Sequence, residues 1–122
     1  MTSTEAKRRT MLLLDVVLGS VGRDARAWTV GTACNAELRS LCGEKNGADI
    51  WGLTRFKERS ILYDLSWLEN DQQADAIIQH ECAHAFSWSG QCKASTGKDS
   101  RYFAAAHKIV ADCYTLLFTE GV

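Results

Sequence analysis

Apolar residues recur at helical spacing in several segments of the chain and alternate with polar residues in others. Near the start, Leu12, Leu13, Val16 and Val17 recur at intervals of three and four residues, which predicts a helix with one buried stripe. The last long segment is apolar on most sides, so we expect its helix to be largely buried. The full pattern predicts helices over residues 4–19, 35–41, 71–87 and 100–119 and strands over residues 27–33, 49–56 and 60–67.

The predicted strand 60–67 has the clearest alternation. Ile61, Tyr63, Leu65 and Trp67 share one face and the intervening positions are mixed, which is typical of an edge or near-edge strand packed on one side. Such a strand could bind a peptide backbone by strand addition. A plain structural hairpin with the preceding strand fits the pattern equally well.

The order of these elements predicts an α+β fold with a small sheet, a central helix that follows the sheet, and an apolar C-terminal helix. The chain has 122 residues, which suits one domain with one hydrophobic core, spanning 1–122. No repeat or second domain is indicated.

Composition narrows the classes of function. The formal charge of −1 gives no general attraction to nucleic acid or anionic membrane, and no basic stripe with interleaved aromatic residues is present. Basic residues at positions 7–9 precede an apolar run, but Asp15 interrupts that run, so we interpret it as an amphipathic helix. We therefore predict a cytoplasmic protein, with secretion as the alternative.

The five cysteines form no CxxC pair and have no zinc-ribbon spacing. Cys113 falls in an apolar helical pattern and is interpreted as a core residue. Cys34, Cys42 and Cys92 could pair in an oxidising compartment, but reduced thiols are the expected state.

The strongest motif is His80-Glu81-Cys82-Ala83-His84. On a helix, two histidines four residues apart lie one turn apart on the same face, where one zinc ion can bind both rings. The adjacent glutamate is then placed to act as general base toward a metal-activated water. Between Asp75 and Lys93 the only charged residue is Glu81, which argues against an exposed helix with coincidental spacing. The sequence predicts that His80 and His84 bind Zn²⁺ and that Glu81 is catalytic.

A catalytic zinc usually has three protein ligands, and three residues could supply the third. Asp112 is a carboxylate in an otherwise apolar helix, where an isolated buried charge is costly unless it is paired or bound to metal. We therefore predict Asp112 as the third ligand, although it could instead accept a hydrogen bond from one of the ring nitrogens. His107 and Asp99 are the alternatives; their plainer interpretations are a half-exposed helix residue and a helix N-cap.

Three stretches resemble the compact core of SprT-like and related small zincins, over roughly residues 49–117. They are Trp51-Gly52-Leu53-Thr54, the strand at 61–65 and the run His80-Glu81-Cys82-Ala83-His84-Ala85. The resemblance implies a minimal zincin metallopeptidase core. Two positions depart from the family patterns. Asp99 stands four residues before the aromatic Phe103, where SprT-like proteins have a third histidine, and Lys108 replaces the glutamate of the gluzincin-like pattern Glu-x-x-Ala-Asp.

Together, the motif and the resemblance predict a zinc-dependent peptidase whose substrate is a peptide or protein. The alternative is a zincin-fold binding or regulatory protein with weak or no catalysis.

Overall fold

The computed structural model describes residues 1–43, 49–88 and 100–119. Within these ranges the protein has four helices and one three-stranded sheet, which confirms the predicted α+β class. The helices are α1 (Ser3–Gly19), α2 (Asn35–Cys42), α3 (Asp71–Ser87) and α4 (Ser100–Phe118), and the strands are β1 (Thr29–Ala33), β2 (Gly52–Arg55) and β3 (Ser60–Asp64).

The sheet is mixed, with the strand order β1-β3-β2. β1 runs parallel to β3 and β2 runs antiparallel to it. Of the two positions predicted for the strand at 60–67, edge and near-edge, the edge position is therefore wrong, because β3 is the central strand and β2 lies at an edge of the sheet within the described residues. The parallel partner of β3 comes from a distant part of the sequence, and alternation within one strand carries no information about such a partner.

β3 is also shorter than predicted. Ile61 and Tyr63 are fully buried, as the alternation requires, but Leu65 is 52% exposed. The strand ends at Asp64, whose carboxylate accepts hydrogen bonds from the backbone and side chain of Ser66 at 2.8 Å. These bonds turn the chain out of the sheet, so the expected apolar face does not continue past Tyr63.

The buried stripe of α1 is shifted by one residue from the predicted one. Leu12 and Val16 are more than 40% exposed, and the stripe is instead built from Ala6, Thr10, Leu13, Leu14, Val17 and Leu18. The apolar run offers two stripes with helical spacing, and packing against α3, α4 and β1 selects the second. The main core lies where α1, α3 and α4 meet one face of the sheet.

α3 packs against β2, α1 and α4. Its N-cap is Asn70, whose side chain accepts a hydrogen bond from the Gln73 backbone nitrogen at 3.0 Å. Its buried residues are Ala74, Ile78, Glu81, Cys82, Ala83 and Ala85. His80 and His84 are half-buried beside this face, and both rings contact Phe103 of α4.

α4 is much less buried than expected. Of its described side chains, Ala106, Val110 and Tyr114 are buried, whereas Tyr102 is 73% and Leu116 is 85% exposed. The prediction of a largely buried final helix is wrong because only one face of α4 packs on the core. None of the helices in the described ranges has the length and hydrophobicity needed to cross a bilayer.

Candidate metal centre

The two histidines of the motif lie on α3 with their rings directed toward each other. The Nε2 atoms of His80 and His84 are 3.2 Å apart, and the ring planes are nearly perpendicular. Two nitrogens bound to one tetrahedral zinc ion at about 2.0–2.1 Å lie roughly 3.3 Å apart. The observed pair therefore has the spacing that a shared zinc ion requires, before any side chain moves.

The electrostatic environment keeps both imidazoles neutral at pH 7. Burial, followed by the charges of the neighbouring His80 and His107, lowers the pKa of His84 to about 4. Burial, followed by the charge of His107, also lowers the pKa of His80. Neutral imidazole is the form that binds a metal, so neither ring has to lose a proton at neutral pH.

Glu81 lies between the two histidines in sequence, with only 4% of its surface exposed. Burial raises the pKa of its carboxyl group to about 7, partly opposed by a hydrogen bond from Thr54. The Thr54 hydroxyl donates to Oε1 at 2.8 Å and lies 3.1 Å from the backbone carbonyl of the same glutamate. A carboxyl group with a pKa near the working pH can both accept and return a proton.

A glycine allows β2 to pack closely on this part of α3. A Cβ atom built on Gly52 would lie 2.8 Å from Cγ1 of Ile77 and 2.9 Å from Cγ of Glu81. Such distances are too short for any residue with a side chain, so glycine permits the contact that brings Thr54 to Glu81. Sequence reasoning assigned no role to Gly52 or Thr54. The sequence did contain one indication of their shared role: they are two residues apart, which places both on the same face of a strand.

α4 forms the opposite wall of the centre. The ring of Phe103 lies 4.3 Å from the ring of His84 and 5.1 Å from that of His80, measured between centroids. One turn further along α4, the ring of His107 lies 6.0 Å from that of His80. Phe103 and His107 belong to the inner face of α4 that continues through Val110 and Tyr114, so the structure brings all three histidines of the chain to one place.

Asp112 does not have the environment on which its prediction depended. Its side chain is 67% exposed and pairs with Lys108, with Nζ and Oδ2 3.5 Å apart. Five residues beyond His107 correspond to a rotation of about 140° around the helix, which directs Asp112 away from the inner face. The expectation of a buried carboxylate is wrong, because apolar neighbours along the sequence do not bury a residue on the outer face of a helix.

The remaining candidate ligand, Asp99, lies outside the described residues. Across residues 1–43, 49–88 and 100–119, no group of three or more His, Cys, Asp and Glu side chains is arranged to hold a metal ion. The observed arrangement is thus a histidine pair of suitable spacing, with a third histidine nearby.

An open groove runs beside the pair, with a volume of about 620 Å³. His80, His107 and Ile77 contribute to its wall, together with Trp51 and Trp67, whose rings stack at 4.2 Å. The lining is mostly apolar, and its polar members are the two imidazoles together with Gln72, Asp75 and Gln79. This combination suits a substrate with hydrophobic side chains.

No family model, no curated protein and no solved structure matches the chain.

Proposed function

We propose that this protein is a zinc-dependent peptidase in which His80 and His84 bind the metal and Glu81 is the general base. The observation that carries the proposal is the pair of Nε2 atoms, 3.2 Å apart, on the helix that also holds a nearly buried carboxylate. A structural zinc site has no need for the buried glutamate, which costs free energy in its ionised form. A hydrolase, in contrast, uses such a carboxylate as its general base.

Bound Zn²⁺ would supply a Lewis acid that polarises the peptide carbonyl and activates a water molecule. Glu81 accepts the proton that this water loses as its oxygen attacks the carbonyl carbon. It then delivers the proton to the amide nitrogen as the carbon–nitrogen bond breaks. The hydrogen bond from Thr54 orients the carboxylate and opposes the rise of its pKa, so that part of the population is ionised at neutral pH.

His107 is the third ligand that the described residues support best. Its ring lies on the inner face of α4, 6.0 Å from that of His80, whereas Asp112 is exposed and paired with Lys108. Asp99 remains a candidate on sequence grounds, four residues before Phe103.

The proposed substrate is an extended peptide bound along β2. Within the described residues β2 lies at an edge of the sheet, and it packs on α3 next to Glu81. The backbone groups on its outer side are suited to strand addition, the role first predicted for strand 60–67.

The decisive variant is Glu81→Gln. It preserves the shape of the side chain but removes the base, so we expect zinc to be retained at about one ion per chain while hydrolysis of a mixed peptide library is lost. Glu37→Gln makes the same chemical change at an exposed position of α2 and should leave both properties unchanged. His84→Asn should lose the metal and the activity together.

These outcomes also separate the peptidase from the alternative, a zincin-fold binding or regulatory protein. That protein would bind zinc through the same histidines but show no hydrolysis that depends on Glu81. A Glu81→Gln protein as active as the unmodified one would contradict the proposed mechanism.

A further inference from the structure

A second pocket lies beyond the histidine pair, at the C-terminal end of α3, with a volume of about 680 Å³. Its centre is the indole of Trp88, which is held edge-on against Trp28 at 6.2 Å between centroids. The guanidinium carbons of Arg59 and Arg23 lie 5.2 and 5.8 Å from the Trp88 ring centre. Two cations from different parts of the chain thus converge on one fixed aromatic ring.

The carboxylates on the wall of this pocket are engaged by other arginines. Asp24 pairs with Arg26 at 3.1 Å, and Glu58 pairs with Arg55 at 3.4 Å. Within the part of the chain that the structure describes, neither arginine on the indole forms an ion pair. The positive charge in the pocket is therefore not balanced by these acidic neighbours.

Holding these two cations together is unfavourable in the absence of an anion. Burial lowers the pKa of Arg23, and the nearby charge of Arg59 lowers it further. Arg59 also has a left-handed backbone conformation, with φ of 49°, which is uncommon for a residue other than glycine. Its carbonyl accepts a hydrogen bond from the Thr29 nitrogen at 2.9 Å, which fixes the strained turn against β1. Strain and like charge kept at one place are features of binding sites.

Phe56 lies between this pocket and the candidate metal centre, with its ring against both His84 and Trp88. β2 and α3 run side by side in the same direction. Gly52, at the start of β2, lies against Ile77 and Glu81, whereas Phe56, just after the end of β2, lies against His84 and Trp88 at the end of α3. The Phe56 ring lies 6.4 Å from that of His84 and 5.6 Å from that of Trp88. The sum of these two distances is an upper limit on the separation of the His84 and Trp88 rings. An extended peptide advances about 3.3 Å per residue, so it covers that separation in at most roughly three to four residues.

We propose that Arg23 and Arg59, held against the Trp88 ring, bind a carboxylate of the peptide substrate at most about four residues away from the bond that is cut. The inference rests on the proposed peptidase function, which it extends to a class of substrate. Planar guanidinium groups form paired, charge-assisted hydrogen bonds with carboxylates, and a bridging anion removes the repulsion between the two cations. The carboxylate comes from an acidic side chain or from the C-terminus of the peptide.

The test measures binding instead of cleavage, by titration calorimetry on the Glu81→Gln protein with Zn²⁺ supplied. Three peptides with the same apolar core sequence are compared, and they differ at the fourth residue from the bond expected to be cut and at the C-terminus. The first has glutamate at that residue and an amidated C-terminus, and the second has glutamine there and a free C-terminal carboxylate. The third, which is neutral, has glutamine there and an amidated C-terminus. We expect at least one charged peptide to bind about tenfold more tightly than the neutral one, with the difference falling as salt is added. The charged peptide that binds identifies the source of the carboxylate.

The preference for charge should disappear when either arginine is replaced. Arg23→Gln and Arg59→Asn should bind the charged and neutral peptides about equally. Asparagine is chosen at 59 because it adopts the left-handed conformation more readily than most residues. The control is Lys7→Gln, which removes the same charge from an exposed position near the start of α1, whereas Arg23 follows the end of that helix. It should keep the full preference.

The outcomes distinguish this inference from the proposed function. Equal affinity for charged and neutral peptides, or no binding of any peptide, would overturn the carboxylate site even if the unmodified protein cleaves peptides. A charge preference that depends on both arginines would support the site even if the unmodified protein cleaves none. Arg23 also donates a hydrogen bond to the Phe86 carbonyl at 3.2 Å, so thermal unfolding is checked first. If Arg23→Gln does not fold, the exposed Arg59→Asn decides the result.

Discussion

α3 and α4 face each other across the candidate metal centre, and the less hydrophobic of the two is the more deeply buried. α3 is rich in alanine and polar residues, yet six of its residues are buried, including a glutamate. α4 carries more large apolar residues, but Tyr102, Ile109 and Leu116 lie largely in solvent.

The difference shows that burial in this protein depends on contact on several sides more than on hydrophobic content. α3 packs against β2, α1 and α4, and the small side chains of Ala74, Ala83 and Ala85 let these neighbours approach. α4 contacts α3 and α1 through a single face. The half of the candidate site that carries His80, Glu81 and His84 is therefore fixed by packing on several sides, whereas the half that carries Phe103 and His107 is held from one side.

The largest expected effect separates the two helices directly. Ile78→Ala, on α3, removes a fully buried side chain and should lower the free energy of unfolding by about 2–5 kcal/mol. Leu116→Ala, on α4, removes a side chain that is 85% exposed and should change it by less than about 0.5 kcal/mol. Chemical denaturation of both variants measures the difference, and equal losses would contradict the comparison.

The same contrast explains how far the sequence could predict the fold. The helices and the strand positions follow from local spacing, and they were predicted within a few residues. The central position of β3 and the exposure of Leu12 were not, because they depend on partners distant in sequence. A local pattern restricts the possible faces of an element, but tertiary packing selects among them.

The candidate site follows the same rule. His80, Glu81 and His84 belong to one helix, so their spacing alone placed them together. Thr54 and Gly52 reach Glu81 only through the packing of β2 on α3, which no short motif encodes. Asp112 failed as a buried carboxylate because its outward direction on α4 depends on which face of that helix meets α3.

The next effect tests whether the buried carboxylate of α3 is destabilising when ionised. Below pH 4.5, Glu81 is protonated in the folded and the unfolded chain. As the pH rises toward 7, the unfolded chain ionises first, because the folded-state pKa is about 7, and stability is lost. The loss is about 3 kcal/mol, since each pKa unit corresponds to about 1.4 kcal/mol.

Glu81→Gln should therefore gain about 3 kcal/mol relative to the unmodified protein between pH 4 and pH 8, measured by denaturant unfolding of the metal-free proteins. The lowered pKa of His84 has the opposite sign and weakens both proteins as the pH falls below 6.5, so it cancels in the difference. A difference that does not change with pH would mean that Glu81 is not held in an apolar environment.

A smaller effect is expected where β2 meets α3. Gly52→Ala places a methyl group within 3 Å of Ile77 and Glu81, so the strand and the helix must separate slightly. We expect a loss of about 1–3 kcal/mol in unfolding free energy and a larger proportional loss of peptidase activity, because Thr54 moves away from Glu81. Gly19→Ala is the control, since a Cβ there meets no atom within 4 Å and the site is distant in sequence. Equal effects of both variants would show that the close approach of β2 is unimportant.

The smallest expected effect lies on the outer face of α4. Asp112→Asn removes an exposed pair with Lys108 and should change the unfolding free energy by about 0.3–0.5 kcal/mol or less, with zinc affinity unchanged. His107→Asn, five residues earlier on the inner face, should weaken zinc binding by about tenfold or more if its imidazole completes the site. Competition with a chromogenic chelator measures both affinities. If Asp112→Asn weakens zinc binding and His107→Asn does not, α4 would have to rotate when metal binds, so that its outer face meets α3. The whole of α4, and not only its inner face, would then belong to the half of the site that is held from one side.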